Sequence, residues 1–94
     1  MTVRVTAVPE KNLFEAEVDG EHAGQIEYTR RDGAIVYTHT EVDGPFEGKG
    51  VGGALVRAAL DAARAEGVKV VPRCSFVRTW IERHPDYADL LGGA

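Results

Sequence analysis

Gly44-Pro45-Phe46-Glu47-Gly48-Lys49-Gly50-Val51-Gly52-Gly53 holds five glycines in ten residues, between a run of strand character and a run of helical character. Glycine lets the backbone turn sharply and lets a ligand approach main-chain amides with no Cβ in the way. A helix that starts here presents unpaired N–H groups and the positive end of its dipole, a setting suited to a phosphate or pyrophosphate. The stretch therefore reads as an anion cradle for a nucleotide-like ligand, against the plainer reading of a turn that links strand to helix.

The flanks decide between the two. From about Gly50 to Glu66 the apolar period is near that of a helix: Val51, Ala54, Leu55, Ala58, Ala59 and Ala62 make one stripe, widened by Val56, Leu60 and Ala63. Arg57, Asp61 and Arg64 fall on the opposite side at pairing distances. The many alanines predict a helix lying close to a sheet, capped by Gly67. Upstream, Ala34 to Val42 is β-branched and apolar on both faces, as in a central strand covered on two sides.

Before it the chain alternates with period two. Thr2 to Ala7 makes a first strand, and Phe14, Ala16 and Val18 mark a second whose other face is acidic. Asp19-Gly20 predicts a type I′ hairpin, Gln25 to Thr29 a third strand, and Arg31-Asp32-Gly33 the turn into the fourth. The first half is thus a four-stranded antiparallel meander. Lys69-Val70-Val71-Pro72 is a fifth strand, parallel to the fourth because a whole helix separates them. Ser75 is placed to cap a last helix through Phe76, Val77, Trp80 and Ile81 that stops before Pro85, and the tail offers Tyr87 and Leu90 for packing. The fold class is α+β.

Gly48-Lys49-Gly50-Val51-Gly52-Gly53 formally matches G-x-G-x-x-G, but a dinucleotide fold needs that motif early in a βαβ unit with more strands to follow. Four antiparallel strands precede it here. A P-loop fails as well, since Gly50 follows Gly48-Lys49 where Ser or Thr would meet magnesium, and the spacing back to Gly44 is one residue short.

At 94 residues the expectation is one domain, 1–94, with a modest core. The apolar fraction of 44% and charged fraction of 28% are those of a globular protein. No run approaches a membrane helix and no signal-peptide pattern opens the chain, so a cytoplasmic location is expected. Cys74 stands alone, which excludes an internal disulfide. A formal charge of −4 argues against nucleic acid as the main partner. His22, His39 and His84 have no metal-ligand spacing with Cys74, and no metal is expected.

A strand, a glycine-rich turn, a helix and a strand, placed late behind an antiparallel meander, resemble the acetyl-CoA loop of the GNAT superfamily of N-acyltransferases, whose pattern is [QR]-x-x-G-x-[GA]. Glu47-Gly48-Lys49-Gly50-Val51-Gly52 matches it except at Glu47. Together with Tyr37-Thr38-His39-Thr40-Glu41-Val42, Val71-Pro72-Arg73-Cys74-Ser75-Phe76 and Arg83-His84-Pro85-Asp86-Tyr87, it is similar to the minimal, stand-alone branch sometimes called YjdJ-type. The chain has no room for the helical pair that larger members carry between strands one and two. The resemblance therefore implies an acceptor side that is open or completed by a partner.

The resemblance implies roles residue by residue. The amides of Gly48, Lys49, Gly50, Val51, Gly52 and Gly53 would hold the CoA pyrophosphate, with the Lys49 side chain adding charge. Glu41 and Val42 would pair their backbone with the pantetheine arm in a splay between strands four and five. Cys74 would lie near the CoA thiol, and Phe76 and Arg78 beside the cofactor. Phe76 shares helical spacing with Trp80 and reads equally as core, and Arg78 as a surface charge. His39 and Cys74 are the candidates for chemistry. A histidine titrating near ~6.5 can take a proton from an amine, while alternation puts His39 on the face of Ile35 and Tyr37, where it would be a core residue. Cys74 either carries the acetyl group as a thiolate or simply lines the slot. Direct attack of the amine on the thioester is the simpler route. The expected function is acetyl-CoA-dependent N-acetyl transfer to an amine of unknown identity, small molecule or protein. A non-catalytic acyl-CoA-binding module and an interaction domain with a structural loop are the alternatives.

Overall fold

Two hairpins set the first half of the chain. Asp19-Gly20 has φ of 51° and 85°, and Asp32-Gly33 has 53° and 76°, the paired left-handed conformations of type I′ turns, which match the twist of antiparallel strands. They join β2 (Leu13–Val18), β3 (Glu21–Arg31) and β4 (Ala34–Val42), and a 3-10 turn at Pro9–Lys11 adds β1 (Val3–Val8) to complete the meander. A helix, α1 (Val51–Glu66), carries the chain back to β5 (Lys69–Pro72), which pairs parallel to β4. The computed structural model describes residues 2–92. Among them the five strands form one sheet in the order β1-β2-β3-β4-β5.

α1 lies across one face of this sheet. Leu55, Val56, Ala59, Leu60 and Ala63 are fully or almost fully buried, with Ala16, Ile26, Tyr37 and Val70 in the same core cluster. Two small residues on that face of the helix, Ala59 and Ala63, bring backbone and sheet together. The buried Tyr37 hydroxyl accordingly reaches the Ala59 carbonyl and donates to it at 2.9 Å. Burial pushes that phenol well above the usual tyrosine range. Gly67, at φ 76°, ends the helix by donating to the Ala63 and Arg64 carbonyls. Arg30 makes a two-pronged pair with Glu66 at 2.8 Å per bond, fastening the helix end to β3.

The second helix, α2 (Ser75–Arg83), buries Val77 and Ile81. Cys74, not Ser75, occupies its N-cap position, and no side chain caps it. The chain then turns through a short 3-10 helix, Pro85–Leu90, in which Tyr87 and Leu90 are buried as expected. Leu91 bridges to Val70, and the Gly92 N–H donates to the Val70 carbonyl, covering part of the β5 edge.

Two β-bulges depart from the simple alternation. Pairing steps from Ala16↔Gly24 to Glu17↔His22, so Ala23 is an extra residue of β3. Ala23 and Gly24 are consecutively buried for that reason, and β3 begins four residues earlier than the alternating run from Gln25 suggests. The second bulge is in β4: Tyr28 opposes Tyr37 and Glu27 opposes His39, which leaves Thr38 unmatched. One inserted residue sends the side chains beyond it to the other face. His39 thus lies on the face opposite Tyr37, and Thr40, opposite Ile26, takes the helix-side position. The expectation that His39 shares a face with Ile35 and Tyr37 is overturned. So is the picture of β4 as covered on both sides along its length, because Thr38, His39 and Glu41 are exposed.

His22 ties this architecture to the glycine loop. Its Nδ1 is 2.9 Å from an Asp43 oxygen and its Nε2 is 3.8 Å from Glu15. The hydrogen bond to Asp43 raises the imidazole above its ordinary value. A raised folded value means that the stabilisation is present below the unfolded pKa of about 6.5 and disappears as pH rises through the folded one. The group is exposed, so His22→Ala is expected to cost at most about 0.5 kcal/mol, read as a change in urea midpoint at about pH 5.5 that vanishes near about pH 8.5. An equal cost at both pH values would show that the ring acts by packing alone.

Candidate functional site

β4 and β5 pair only from Ala34↔Lys69 to Tyr37↔Pro72. Beyond that point the N–H groups of Arg73 and Cys74 both turn to the Tyr37 carbonyl, at 3.1 and 3.0 Å. β5 ends there, while β4 continues from Thr38 to Val42 with no β5 residue beside it. The Thr38 bulge lies at the same fork. A strand edge left free in this way offers backbone groups to an extended, amide-bearing ligand.

The end of β4 leads into the glycine stretch. Asp43 N–H bonds the Ala23 carbonyl at 2.8 Å, a 3-10 turn spans Gly44–Phe46, and Gly48 and Gly50 take φ of 77° and 81°. Such left-handed positions suit glycine and aim successive amides toward one side. The first bond of α1 runs from Ala54 N–H to the Gly50 carbonyl at 3.1 Å. The amides of Val51, Gly52 and Gly53 therefore have no partner within the helix. No side chain caps this end, and no acidic residue occupies its first turn. A cavity of about 400 Å³ opens against it, lined by Val42, Phe46, Glu47, Gly48, Gly50, Val51, Gly52, Gly53 and Phe76.

Phe76 is 44% exposed at this cavity, so its reading as a core residue does not hold. A Cβ on Gly52 would stand 2.6 Å from its Cζ; the glycine lets the aromatic ring lie against the start of α1. Trp80, one turn further along α2, is partly buried instead and stacks on His84 with centroids 3.8 Å apart. Glu47 lines the cavity, whereas Lys49 is exposed and outside it. Arg78 is also outside, beside Pro72, Ile81 and Leu91, and donates to the Arg73 carbonyl at 3.4 Å.

Cys74 sits at the fork. Its Sγ is 3.4 Å from the Thr40 hydroxyl, a contact that exists because the bulge turned Thr40 to the helix side. Burial pushes the thiol up, but the Thr40 hydroxyl and the Val77 and Phe76 amides at the start of α2 outweigh it and leave the thiol below its ordinary value. His39 lies across the strand on the open face, its side chain 56% exposed and its Nε2 3.3 Å from a Glu41 oxygen. Cys74 and His39 thus flank one fork from opposite faces of the sheet. Thr38, Thr40, Phe46 and Gly24 were not legible as site residues. The first two depend on the bulge, and the others on contacts between segments distant in sequence.

The model of the GCN5-related N-acetyltransferase family matches residues 13–90 of this sequence. The chain belongs to that family. Among solved structures, it is similar to the NMR solution structure of a GCN5-like candidate N-acetyltransferase from Staphylococcus aureus. That match has a TM-score of 0.74 and 27% identity, and spans 97% of this chain and 89% of the other. It also shares the fold of ribosomal-protein-alanine N-acetyltransferase from Brucella melitensis biovar Abortus, at TM-score 0.58 and 22% identity over 87% of this chain and 61% of that one. The GCN5-related assignment makes the protein an N-acetyltransferase by family, with the meander, helix and parallel fifth strand that its sequence implies. No described helix is long and apolar enough to cross a membrane.

Proposed function

We propose that residues 1–94 act as one acetyl-CoA-binding domain that transfers the acetyl group to an amine by direct attack within a ternary complex. The observation that carries this reading is the set of unpaired amides at Val51, Gly52 and Gly53, opening onto a cavity beside the free edge of β4. The two left-handed glycines and the uncapped helix start suit a pyrophosphate. The edge from Thr38 to Val42, including the Glu41 and Val42 backbone, suits the pantetheine arm, and Phe76 offers an apolar wall. Lys49 and Arg78 stand outside the cavity and are proposed as longer-range charges toward the phosphates.

Acetyl-CoA, when bound, supplies an activated acyl carbon. His39 is proposed to accept the amine proton: it is exposed on the open face, with its Nε2 3.3 Å from a Glu41 oxygen. Cys74 and Thr40 shape the other side of the fork. The lowered thiol favours a second route through an acetylated Cys74, which mass spectrometry of the acetyl-CoA-treated protein distinguishes.

Titration calorimetry with acetyl-CoA, followed by an amine-acceptor assay, tests the reading. His39→Ala is expected to leave acetyl-CoA affinity within twofold and to lower kcat by about 10²-fold or more, as for loss of a general base. Unchanged turnover would remove His39 from the chemistry. Acetyl-CoA binding with no transfer to any amine would instead favour a non-catalytic acyl-CoA module, for which Glu47 at the loop is the supporting feature.

A further inference from the structure

Among the described residues, the sheet face opposite α1 bears no helix along β3, β4 and β5, yet Val36 on that face is only 7% exposed. It forms the floor of a groove of about 490 Å³ with Ala34 and Val71, and Arg31, Lys69 and Arg73 line the same groove. Register puts them together: Arg31 opposes Ala34, which opposes Lys69, and Val36 opposes Val71. Three cations meet a single carboxylate there, Asp32, in a chain of formal charge −4. Among the described residues, no carboxylate pairs with any of the three cations. Lys69 donates to a carbonyl, that of Asp89, at 2.8 Å.

The groove runs toward the fork. At about 3.3 Å per residue, Lys69 and Arg73 are about 13 Å apart along the strand, and Arg73 immediately precedes Cys74. Beyond the fork, on the same face, the charge reverses: Glu27 opposes His39, and Gln25 opposes Glu41. The open face is thus polarised along β4. Carboxylates lie beyond the fork, Arg73 stands at it, and Arg31 and Lys69 are at the far end, with the apolar strip of Val36 and Val71 between.

We infer that the acceptor is a small amine that carries a carboxylate or phosphate on an apolar spacer. Its ammonium end lies toward Glu27, His39 and Glu41, its spacer on Val36 and Val71, and its anion at Arg31 and Lys69. This inference rests on the proposed transfer reaction, since it names the substrate of that site. In the step itself the deprotonated amine nitrogen bonds to the acetyl carbon and the carbon–sulfur bond breaks. CoA leaves as the thiolate, and the amine proton goes to His39 and then to water or the thiolate. The groove adds selection through charge-assisted hydrogen bonds at the far end.

At about 3.3 Å per residue the level of Ala34 is about 16 Å from that of His39 along β4, so three long-chain amines test it: ω-aminoundecanoate, undecylamine and undecamethylenediamine, whose far ends are anionic, neutral and cationic. The kcat/KM for ω-aminoundecanoate is expected to exceed the other two by at least about tenfold. Arg31→Glu is expected to abolish that preference through KM, with acetyl-CoA affinity unchanged, and Arg31→Lys to restore part of it. ω-Aminoundecyl phosphate, run beside them, separates phosphate from carboxylate. Equal rates for the three amines, or a preference for undecamethylenediamine, would overturn the inference.

A second measurement stands apart from turnover. Titrating hexanoate into labelled protein without CoA is expected to shift the Val36, Lys69 and Val71 amide resonances, and in Arg31→Glu it is not. Absence of shifts in the unsubstituted protein would sink the groove even if transfer to other amines is found. Failure of acetyl-CoA itself to bind would instead strike the proposed function, leaving the hexanoate shifts to decide the groove.

Discussion

Gly53→Glu is expected to make the protein more stable and, at the same time, a much poorer ligand for acetyl-CoA. Gly53 is the third residue of α1, in ordinary helical conformation, and a Cβ built there meets only Trp80 Nε1 at an unstrained 3.5 Å. Replacing a helical glycine recovers about 0.5–1 kcal/mol of backbone entropy, and a carboxylate in the first turn adds about 0.3–1 kcal/mol against the dipole. Thermal unfolding should therefore shift upward by several degrees, about 4–8 °C per kcal/mol for a domain of this size.

The same carboxylate would stand where the proposed reading puts a pyrophosphate. At an effective dielectric of about 20, two unit charges 4–6 Å apart repel by about 3–4 kcal/mol. Even after screening, a loss of about tenfold to a hundredfold in affinity is expected, because each tenfold is about 1.4 kcal/mol. Titration calorimetry beside a melting curve reads both effects on one sample. A stabilised protein that binds acetyl-CoA as before would mean that the ligand's charge does not approach α1. A destabilised one would mean that the first turn is constrained by something other than its glycines. The opposite signs make the test selective, since a substitution that merely damaged the fold would lower both.

What could be read beforehand divides along a physical line. Local chemistry was legible. Asp19-Gly20 and Asp32-Gly33 announce their hairpins, the stripe from Val51 to Ala63 announces α1, and Gly67 announces its end. The parallel pairing of β5 follows from the length of the connection. What escaped was produced by single inserted residues. Ala23 and Thr38 are unremarkable in sequence, because a bulge is chosen by the packing of two strands and not by the residue that bulges. Its consequence is large, since everything beyond Thr38 exchanges faces: His39 moves from core to open surface, and Thr40 moves into contact with Cys74. Phe76 escaped for a related reason. Helical spacing says which residues share a face with Trp80, but not that Phe76 meets α1 at its first turn, where the ring lies against Gly52 and faces the cavity. The glycine loop and its unpaired amides were legible as a motif; that they open onto a cavity beside the free edge of β4 needed the geometry.

Gly24→Ala should have the other large effect, and it tests whether the free edge of β4 is held in place from behind. Gly24 opposes Val42 in the β3–β4 ladder and is buried. A Cβ built on it would stand 2.5 Å from the Glu41 carbonyl oxygen and 3.2 Å from the Val42 Cα. Both atoms are main chain, so relief cannot come from a rotamer change; the strand must move. Overpacking of this kind costs about 1–3 kcal/mol, which a chemical-denaturation midpoint would register. The moved segment, Glu41 and Val42, is the one proposed to bond the pantetheine arm, and it leads directly into Asp43 and the glycine turn. Acetyl-CoA affinity is therefore expected to fall by tenfold or more in protein that circular dichroism shows to be folded, whereas a core truncation farther along α1, such as Leu60→Ala at a fully buried position, should lower stability and spare affinity. Equal affinity in the two variants would mean that the end of β4 does not position the cosubstrate. A loss confined to Gly24→Ala would tie a glycine in an otherwise ordinary strand to cosubstrate binding through the backbone it leaves room for.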